Sequence, residues 1–375
     1  MTDDSSLHAP IDISPAAPPP VTPPRVLEPL ASVSERAGLG RLERRLDWAR
    51  RWLAPDLAEL EATLAAVARV DAEANLARQA ANHLLEQPGK RIRPICVLLG
   101  AHLAGVPVDA RVRDVAVACE LVHAATLLHD DVIDEGTERR GAPAARTVYS
   151  NSASVLAGDY LLIHALERVA GASRGARPEL MKSLLDTIGQ MVAAEALQLE
   201  QRGAFSPSRK AYLDVIEGKT ASLFRWALSA PMYLIAEDPI DATALSEAGT
   251  ALGMAFQLVD DLLDLEGEPA DTGKDLFADL LQGKLTWPLI LASEKDPILT
   301  DAVRRLSSRA AVGELDTADA AAVVARIRDA GTIEATRVFA NQQRDIARAA
   351  LERLPDSDAR DAVVAVVDAA VDRHR

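Results

Sequence analysis

From Leu39 onward the chain repeats apolar residues three and four positions apart, the spacing that places them along one face of a helix. Turn-forming residues interrupt this pattern near Pro55, Pro88, Gly105 to Pro107, Gly136 to Pro143, Gly171 to Pro178, Gly203 to Pro207, Glu237 to Pro239, Gly267 to Gly273 and Pro297. The intervals predict about a dozen helices with no long linker, hence one all-α domain spanning 39–375. Residues 1–32 differ. They hold eight of the 21 prolines, a composition that cannot pack, and read as an extended or disordered tail of unassigned role.

Composition strengthens the helical reading. Ala, Leu, Val, Glu and Arg dominate, and runs rich in β-branched and aromatic residues are nearly absent. A net charge of −15 argues against a nucleic-acid partner held by phosphate neutralisation, although local basic clusters can still bind small anions. The two cysteines, Cys96 and Cys119, lie in apolar helical pattern and read as packing residues in a reducing compartment. No apolar run reaches the ~18 residues of a spanning helix and no signal pattern opens the chain, so a cytoplasmic location is expected.

One internal echo carries chemistry. "HDDVID" at 129–134 returns as "VDDLLD" at 259–264, each closing a long apolar helical stretch. Read as helical, Asp130 and Asp134 share a face with Asp131 turned aside, and Asp260, Asp261 and Asp264 repeat the pattern. Like charges at this spacing repel, and a helix C-terminus is the unfavourable end for them. A single cluster is explained by a solvated helix end. Two suggest six carboxylates facing each other across a cavity, holding Mg²⁺ around a diphosphate.

Basic residues near the aspartates fit such an anion. Arg139 and Arg140 follow the first trio, and Lys274 and Lys284 follow the second. A separate cluster, Lys90, Arg91 and Arg93 in "QPGKRIRPI", crowds a helix start whose backbone N–H groups also attract anions. It points to a second phosphate-bearing ligand. His123, seven residues before Asp130, shares that helix face.

The segments "PGKRIRP", "ELVHAATLLHDDVIDEGTERRG", "AGDYLL", "EGKTASLF", "AFQLVDDLLD" and "GKDLFADLLQGKLTWP" together resemble the motif series of the trans-polyprenyl diphosphate synthases, in that family's order. The resemblance implies an all-helical barrel that joins an allylic diphosphate to isopentenyl diphosphate with Mg²⁺ as cofactor. It implies metal ligation by Asp130, Asp134 and Asp260, with Asp131, Asp261 and Asp264 as ligands or supports. Arg139, Lys219, Lys274 and Lys284 would hold the allylic diphosphate; Lys90, Arg93, His123 and Arg140 would hold isopentenyl diphosphate. Thr220, the Lys219 carbonyl and Gln257 would face the allylic cation. A homodimer is implied, without a stable membrane anchor but with transient membrane contact as the long tail leaves.

Val122, Ala125 and Thr126, one to two turns before Asp130, are the expected chain-length wall. None is aromatic, which implies an open tunnel and an octaprenyl-like product, with geranylgeranyl diphosphate as the competing length. Leu161, Leu162, Leu166 and Met181 are candidates for its floor. Two other readings stand beside this one: a class I terpene cyclase, which needs no isopentenyl site, and a non-catalytic partner subunit, which usually lacks one aspartate motif.

Overall fold

A computed structural model describes residues 40–68, 75–204, 207–235, 241–266, 279, 282–310 and 317–373. The proline-rich tail therefore lies outside the described residues, as does Lys274. The first helix, α1 (Gly40–Ala68), buries Leu46, Leu53, Leu57, Leu60 and Leu64 along one stripe. The expected break at Pro55 does not occur. Pro55 sits on the exposed face inside α1, and the leucine stripe continues past it to hold the helix on the core.

Three helices follow: α2 (Leu76–Leu85), α3 (Ile92–Leu103) and α4 (Ala110–Ile133). Asp109 caps α4 by accepting from the backbone N–H groups of Arg111 and Val112, at 2.9 and 3.2 Å. From there α4 is buried on most of its circumference. A helix apolar nearly all round belongs in the middle of a bundle, and α4 packs between α3 and α6 (Asn151–Ala172).

Between α4 and α6 lie a two-residue hairpin, Glu138–Arg139 paired antiparallel with Ala142–Pro143, and the short α5 (Ala145–Tyr149). These are the described strands of an otherwise helical molecule. Arg140 and Gly141, at φ 54° and 76°, make the turn, so the loop expected from Gly136 to Pro143 is a formed element.

The chain continues through α7 (Glu179–Ala204), α8 (Arg209–Ile216), a π-helical turn (Glu217–Ala221), α9 (Ser222–Ser229) and a 3₁₀ turn (Ala230–Leu234). The second central helix, α10 (Ala242–Glu266), packs on α9 and on α14 (Thr332–Glu352). A smaller apolar cluster, with Leu299, Val303 and Ile327 at its centre, joins α11 (Trp287–Lys295), α12 (Pro297–Ala310) and α13 (Thr317–Asp329) to the end of α10. The last helix, α15 (Asp358–Asp372), returns to pack on α1 and α3.

Candidate active site

The C-terminal ends of α4 and α10 meet a cavity of about 1110 Å³. Asp130 and Asp260 are both on its wall. The same wall carries Lys90, Arg93, His123, Arg139 and Arg140, then Lys219, Thr220 and Gln257. Deeper in, the lining turns apolar through Val122, Leu162, Ile188, Met191 and Leu223. Behind Thr220 and Gln257 a polar cavity of about 100 Å³ is lined by Gln198, Arg202, Tyr212, Asp261 and Lys284.

Within each aspartate trio the three carboxylates have different surroundings. Asp130 stands 3.7 Å from the ammonium of Lys219, which also pairs with Glu195 and donates to Gln198 at 2.9 Å. Burial pushes the Asp130 carboxyl up to about 6 against the pull of Lys219, and Glu195 and Asp134 add to the rise. Asp134 lies just past the last turn of α4, where its backbone N–H still donates to the Asp130 backbone carbonyl at 2.8 Å. Lys284 and Arg202 bond it at 2.8 and 3.0 Å. Burial would raise Asp134, yet Lys284, Lys219 and Arg202 together hold it below the usual range.

The expectation that all six carboxylates face one cavity needs correction. Asp131 is 1 % exposed, turned into the protein, and accepts from Arg139 Nε at 2.9 Å. Its Oδ2 is buried without a hydrogen-bond partner. Asp261, 2 % exposed, accepts from the Tyr212 hydroxyl at 2.6 Å and the Trp287 backbone N–H at 2.9 Å. The reason is helix geometry. A residue next to one aimed at the cavity lies about 100° around the axis, which here means the core or the small polar cavity. Asp264 accepts from the Asp279 backbone N–H at 3.4 Å. Among the described residues no three carboxylate, imidazole or thiol groups stand close enough to form a ready metal cage.

The basic cluster is built on a strut. Arg91, in left-handed conformation at the start of α3, is almost wholly buried and bonds Glu120 at 2.6 Å and Glu61 at 2.8 Å. Burial opposes its charge, but the two glutamates outweigh it and raise the Arg91 guanidinium. Arg91 is thus a brace, while Arg93 faces the cavity with its guanidinium 4.5 Å over the Phe224 ring. Arg140 reaches the Gln87 carbonyl at 3.3 Å and Glu120 at 3.9 Å. Burial lowers Arg93 and Arg140, and burial together with these arginines holds His123 well below its ordinary value. A neutral imidazole therefore stands among the guanidinium groups of Arg93, Arg140 and Arg139.

The π-helical turn sets the opposite wall. It widens the chain where Lys219 and Thr220 project, and π-bulges commonly occur at functional sites. Gly253, one turn before Gln257, lets α10 approach this turn: a Cβ there would fall 2.4 Å from the Ala221 Cα. The approach lets the Thr220 hydroxyl donate to Gln257 Oε1 at 2.9 Å.

The chain-length wall also changes. Val122 and Thr126 line the cavity, but Ala125 does not; it is 0 % exposed and packed in the core, about 100° around α4 from Thr126. Of the floor candidates only Leu162 lines the cavity, joined by Ile188 and Met191. Lys284 belongs to the small polar cavity rather than the large one, drawn there by Asp134 and Asp279.

Several site residues were not anticipated. Glu195, Gln198 and Arg202 stand at i, i+3 and i+7 on one face of α7, a spacing present in the sequence but shared with other polar residues of that helix. Arg373 had no such signal. It follows α15, is 4 % exposed, bonds Asp260 at 2.8 Å and lies 3.7 Å over the Phe256 ring.

Two aspartate-bearing helix ends, a basic wall and an apolar lining thus share one cavity. The model of the family described as Polyprenyl synthetase matches residues 74–322. The chain belongs to the polyprenyl synthetase family. Among curated relatives, heptaprenyl diphosphate synthase component 2 of Geobacillus stearothermophilus is 37% identical over 313 residues, covering 82% of this chain and 93% of that one. Octaprenyl diphosphate synthase of Escherichia coli strain K12 is 33% identical over 327 residues, 86% and 97% of the two chains. A crystal structure of a polyprenyl synthase from Caulobacter crescentus CB15, complexed with calcium and isoprenyl diphosphate, superposes with a TM-score of 0.80. It is 33% identical and covers 88% of this chain and 98% of that one. This polyprenyl synthetase is accordingly a prenyltransferase of all-α fold, as its motifs implied. No described helix is long and apolar enough to cross a membrane.

Proposed function

We propose that this chain extends an allylic diphosphate with isopentenyl diphosphate, in trans and head to tail, to a medium or long polyprenyl diphosphate of octaprenyl-like length. One observation carries the reading: a single cavity bears Asp130 and Asp260, a separate basic cluster, and an apolar depth. A terpene cyclase has no use for the second anion site, and a non-catalytic subunit has none for two whole aspartate motifs. The hepta- and octaprenyl names of the relatives support medium to long products over geranylgeranyl.

The donor set fits a divalent cation. Asp130 and Asp260 each meet the cavity beside a protein cation, Lys219 or Arg373, so both carboxylates are already arranged for positive charge. Asp130 with Asp134, and Asp260 with Asp264, are the residues that would hold Mg²⁺; Asp131 and Asp261 act as supports. When bound there, Mg²⁺ supplies Lewis-acid neutralisation of the diphosphate leaving group.

The chain's own residues do the rest. Arg139, Lys219 and Lys274 bind the allylic diphosphate and draw charge onto it as the C–O bond breaks, while Lys284 acts from the smaller cavity by holding Asp134 at 2.8 Å. Lys90, Arg93, His123 and Arg140 hold isopentenyl diphosphate, placing its double bond toward the allylic carbon. Thr220, the Lys219 carbonyl and Gln257 face the developing cation with oxygen. Proton loss to the released diphosphate re-forms the alkene. The tail extends past Thr126 and Val122 toward Leu162 and Ile188.

Residues 39–375 form one catalytic unit in this reading. It works in the cytoplasm as a homodimer and meets the bilayer only as the product leaves. Leu185 on α7, with Leu156 and Ile163 on α6, is exposed outside the cavity and suits burial against a second copy. Chromatography of products from farnesyl diphosphate, isopentenyl diphosphate and Mg²⁺ tests the function. Chains of about eight isoprene units are expected, whereas diphosphate release without isopentenyl incorporation would sink the reading.

A further inference from the structure

Asp261 is held from three directions. The Tyr212 hydroxyl and the Trp287 backbone N–H both donate to its Oδ2, at 2.6 and 2.9 Å, while the Gln257 side-chain amide donates from Nε2 to its Oδ1 at 3.1 Å. The donors are themselves braced: Tyr212 packs on Trp287 at 5.3 Å between ring centroids, and Trp287 on Phe339 at 5.0 Å. With Oδ2 taken twice, Oδ1 is the atom left for Gln257.

This decides which way an ambiguous side chain points. A glutamine amide carries a donor and an acceptor of nearly equal shape, and either can face a given neighbour. Burial raises the Asp261 carboxyl to about 7 against the pull of Tyr212, Trp287 and Gln257, but with donors on both its oxygens it accepts, so the Gln257 NH₂ turns toward Asp261 and its Oε1 turns away. On that other side Oε1 meets the Thr220 hydroxyl at 2.9 Å, at the wall of the large cavity. The amide dipole thus has its negative end toward the substrate.

We propose that Asp261 is a positioning residue that fixes the Gln257 amide with its carbonyl oxygen toward the cavity, where positive charge develops on the allylic carbon. The inference rests on the assignment of Thr220 and Gln257 to the allylic cation given above. It gives the middle aspartate of the second motif a task distinct from metal ligation. A dipole oriented before reaction need not reorganise when charge appears, which is how such groups accelerate ionisation. Reversed, the same amide would offer N–H groups to a cation and oppose it.

Asp261→Asn tests this directly. The asparagine oxygen still accepts from Tyr212 and Trp287, but its NH₂ now faces Gln257 and demands Oε1, which reverses the amide. In the full-length enzyme with farnesyl diphosphate, isopentenyl diphosphate and Mg²⁺, kcat should fall about 100-fold while both KM values stay within about twofold. Single-turnover diphosphate release should slow by the same factor. Mg²⁺ affinity measured calorimetrically with inorganic diphosphate should not change. Adding Gln257→Glu to Asp261→Asn restores an acceptor facing the asparagine and an oxygen facing the cavity, and should recover about tenfold in kcat or more. Gln257→Glu alone sets two carboxylates against each other and should be impaired.

Undiminished kcat in Asp261→Asn overturns the proposal. So does a loss that saturating Mg²⁺ abolishes, which would make Asp261 a ligand, or a double variant no better than the single one. Should Asp261→Asn not fold, Gln257→Met keeps the side-chain length without the amide; kcat should again fall with KM retained, and an unchanged kcat is equally fatal. A wild type that releases diphosphate without incorporating isopentenyl units would sink the functional reading and this inference together. An active wild type with any of the failures above sinks only the role of Asp261.

Discussion

The two aspartate motifs look alike in sequence and are built differently. Both end a central helix, both present their first carboxylate to the cavity, and both bury the second. What meets the buried carboxylate differs. Asp131 is held by the guanidinium of Arg139, a charged partner on the hairpin that also carries Arg140. Asp261 is held by a hydroxyl, a backbone N–H and a side-chain amide, all neutral. The first motif therefore uses its inner aspartate to place charge at the cavity rim, and the second uses its own to orient a dipole in the wall.

The helices behind the motifs differ in the same sense. Seven residues before Asp130 stands His123 among arginines; seven before Asp260 stands Gly253, against which the π-helical turn packs. The α4 side is an electrostatic wall. The α10 side is a close-packed one, closed at its end by Arg373 over Phe256.

The largest effect should come from the outer aspartates, where the motifs are alike. Asp130→Ala and Asp260→Ala should each lower kcat by at least about 1000-fold in the isopentenyl incorporation assay. Thermal unfolding should distinguish them. Asp130→Ala relieves a buried, like-charged neighbourhood and should leave the melting temperature unchanged or raised. Asp260→Ala strips Arg373 of its bonded carboxylate and should lower it. Equal thermal behaviour would break the comparison.

The inner aspartates should differ in stability. Arg139→Ala leaves Asp131 buried without its charged partner, and since Arg139 is a quarter exposed a loss of about 2–3 kcal/mol is expected, below the ~3–5 of a fully enclosed pair. Tyr212→Phe removes one neutral donor of three around Asp261 and should cost about 1–2 kcal/mol in denaturant unfolding. The reverse order would mean that charge is not what separates the two motifs.

The walls can be separated by product length. Thr126→Phe adds bulk on the cavity face of α4 and should shorten the product on chromatography. Ala125→Phe adds the same bulk inside the core and should destabilise the protein by about 1–3 kcal/mol without a comparable shortening.

That contrast also marks what could be read from the chain. The first aspartate of each trio, the Lys90 to Arg93 cluster, and Lys219 and Thr220 come from local patterns, and each lines the cavity. Facing was harder. Periodicity assigns a helix but fixes its rotation only to within a residue, which is how Ala125 and Thr126 came to share one expectation and opposite environments. Pro55 signalled a break that leucines on either side overrode. Partners joined only by the fold left no trace: nothing local links Arg373 to Asp260, or Tyr212 to Asp261.

The smallest expected effect probes the electrostatic wall through His123. Its folded-state value is depressed, because burial and the charges of Arg93, Arg140 and Arg139 all disfavour a protonated imidazole. The unfolded chain takes up this proton near the ordinary value of about 6.5. The folded protein does not, so the stability His123 contributes is present above that pH and is lost as pH falls below it. Between pH 7.5 and 5.5, wild-type unfolding free energy should therefore drop more steeply than that of His123→Gln, by about 1 kcal/mol over the interval. Inorganic diphosphate should weaken the difference, since an anion among the arginines offsets the charges that hold the imidazole neutral. Parallel pH profiles for the two proteins would show that the arginines around His123 are screened from it, and the distinction between an electrostatic α4 wall and a packed α10 wall would then rest on shape alone.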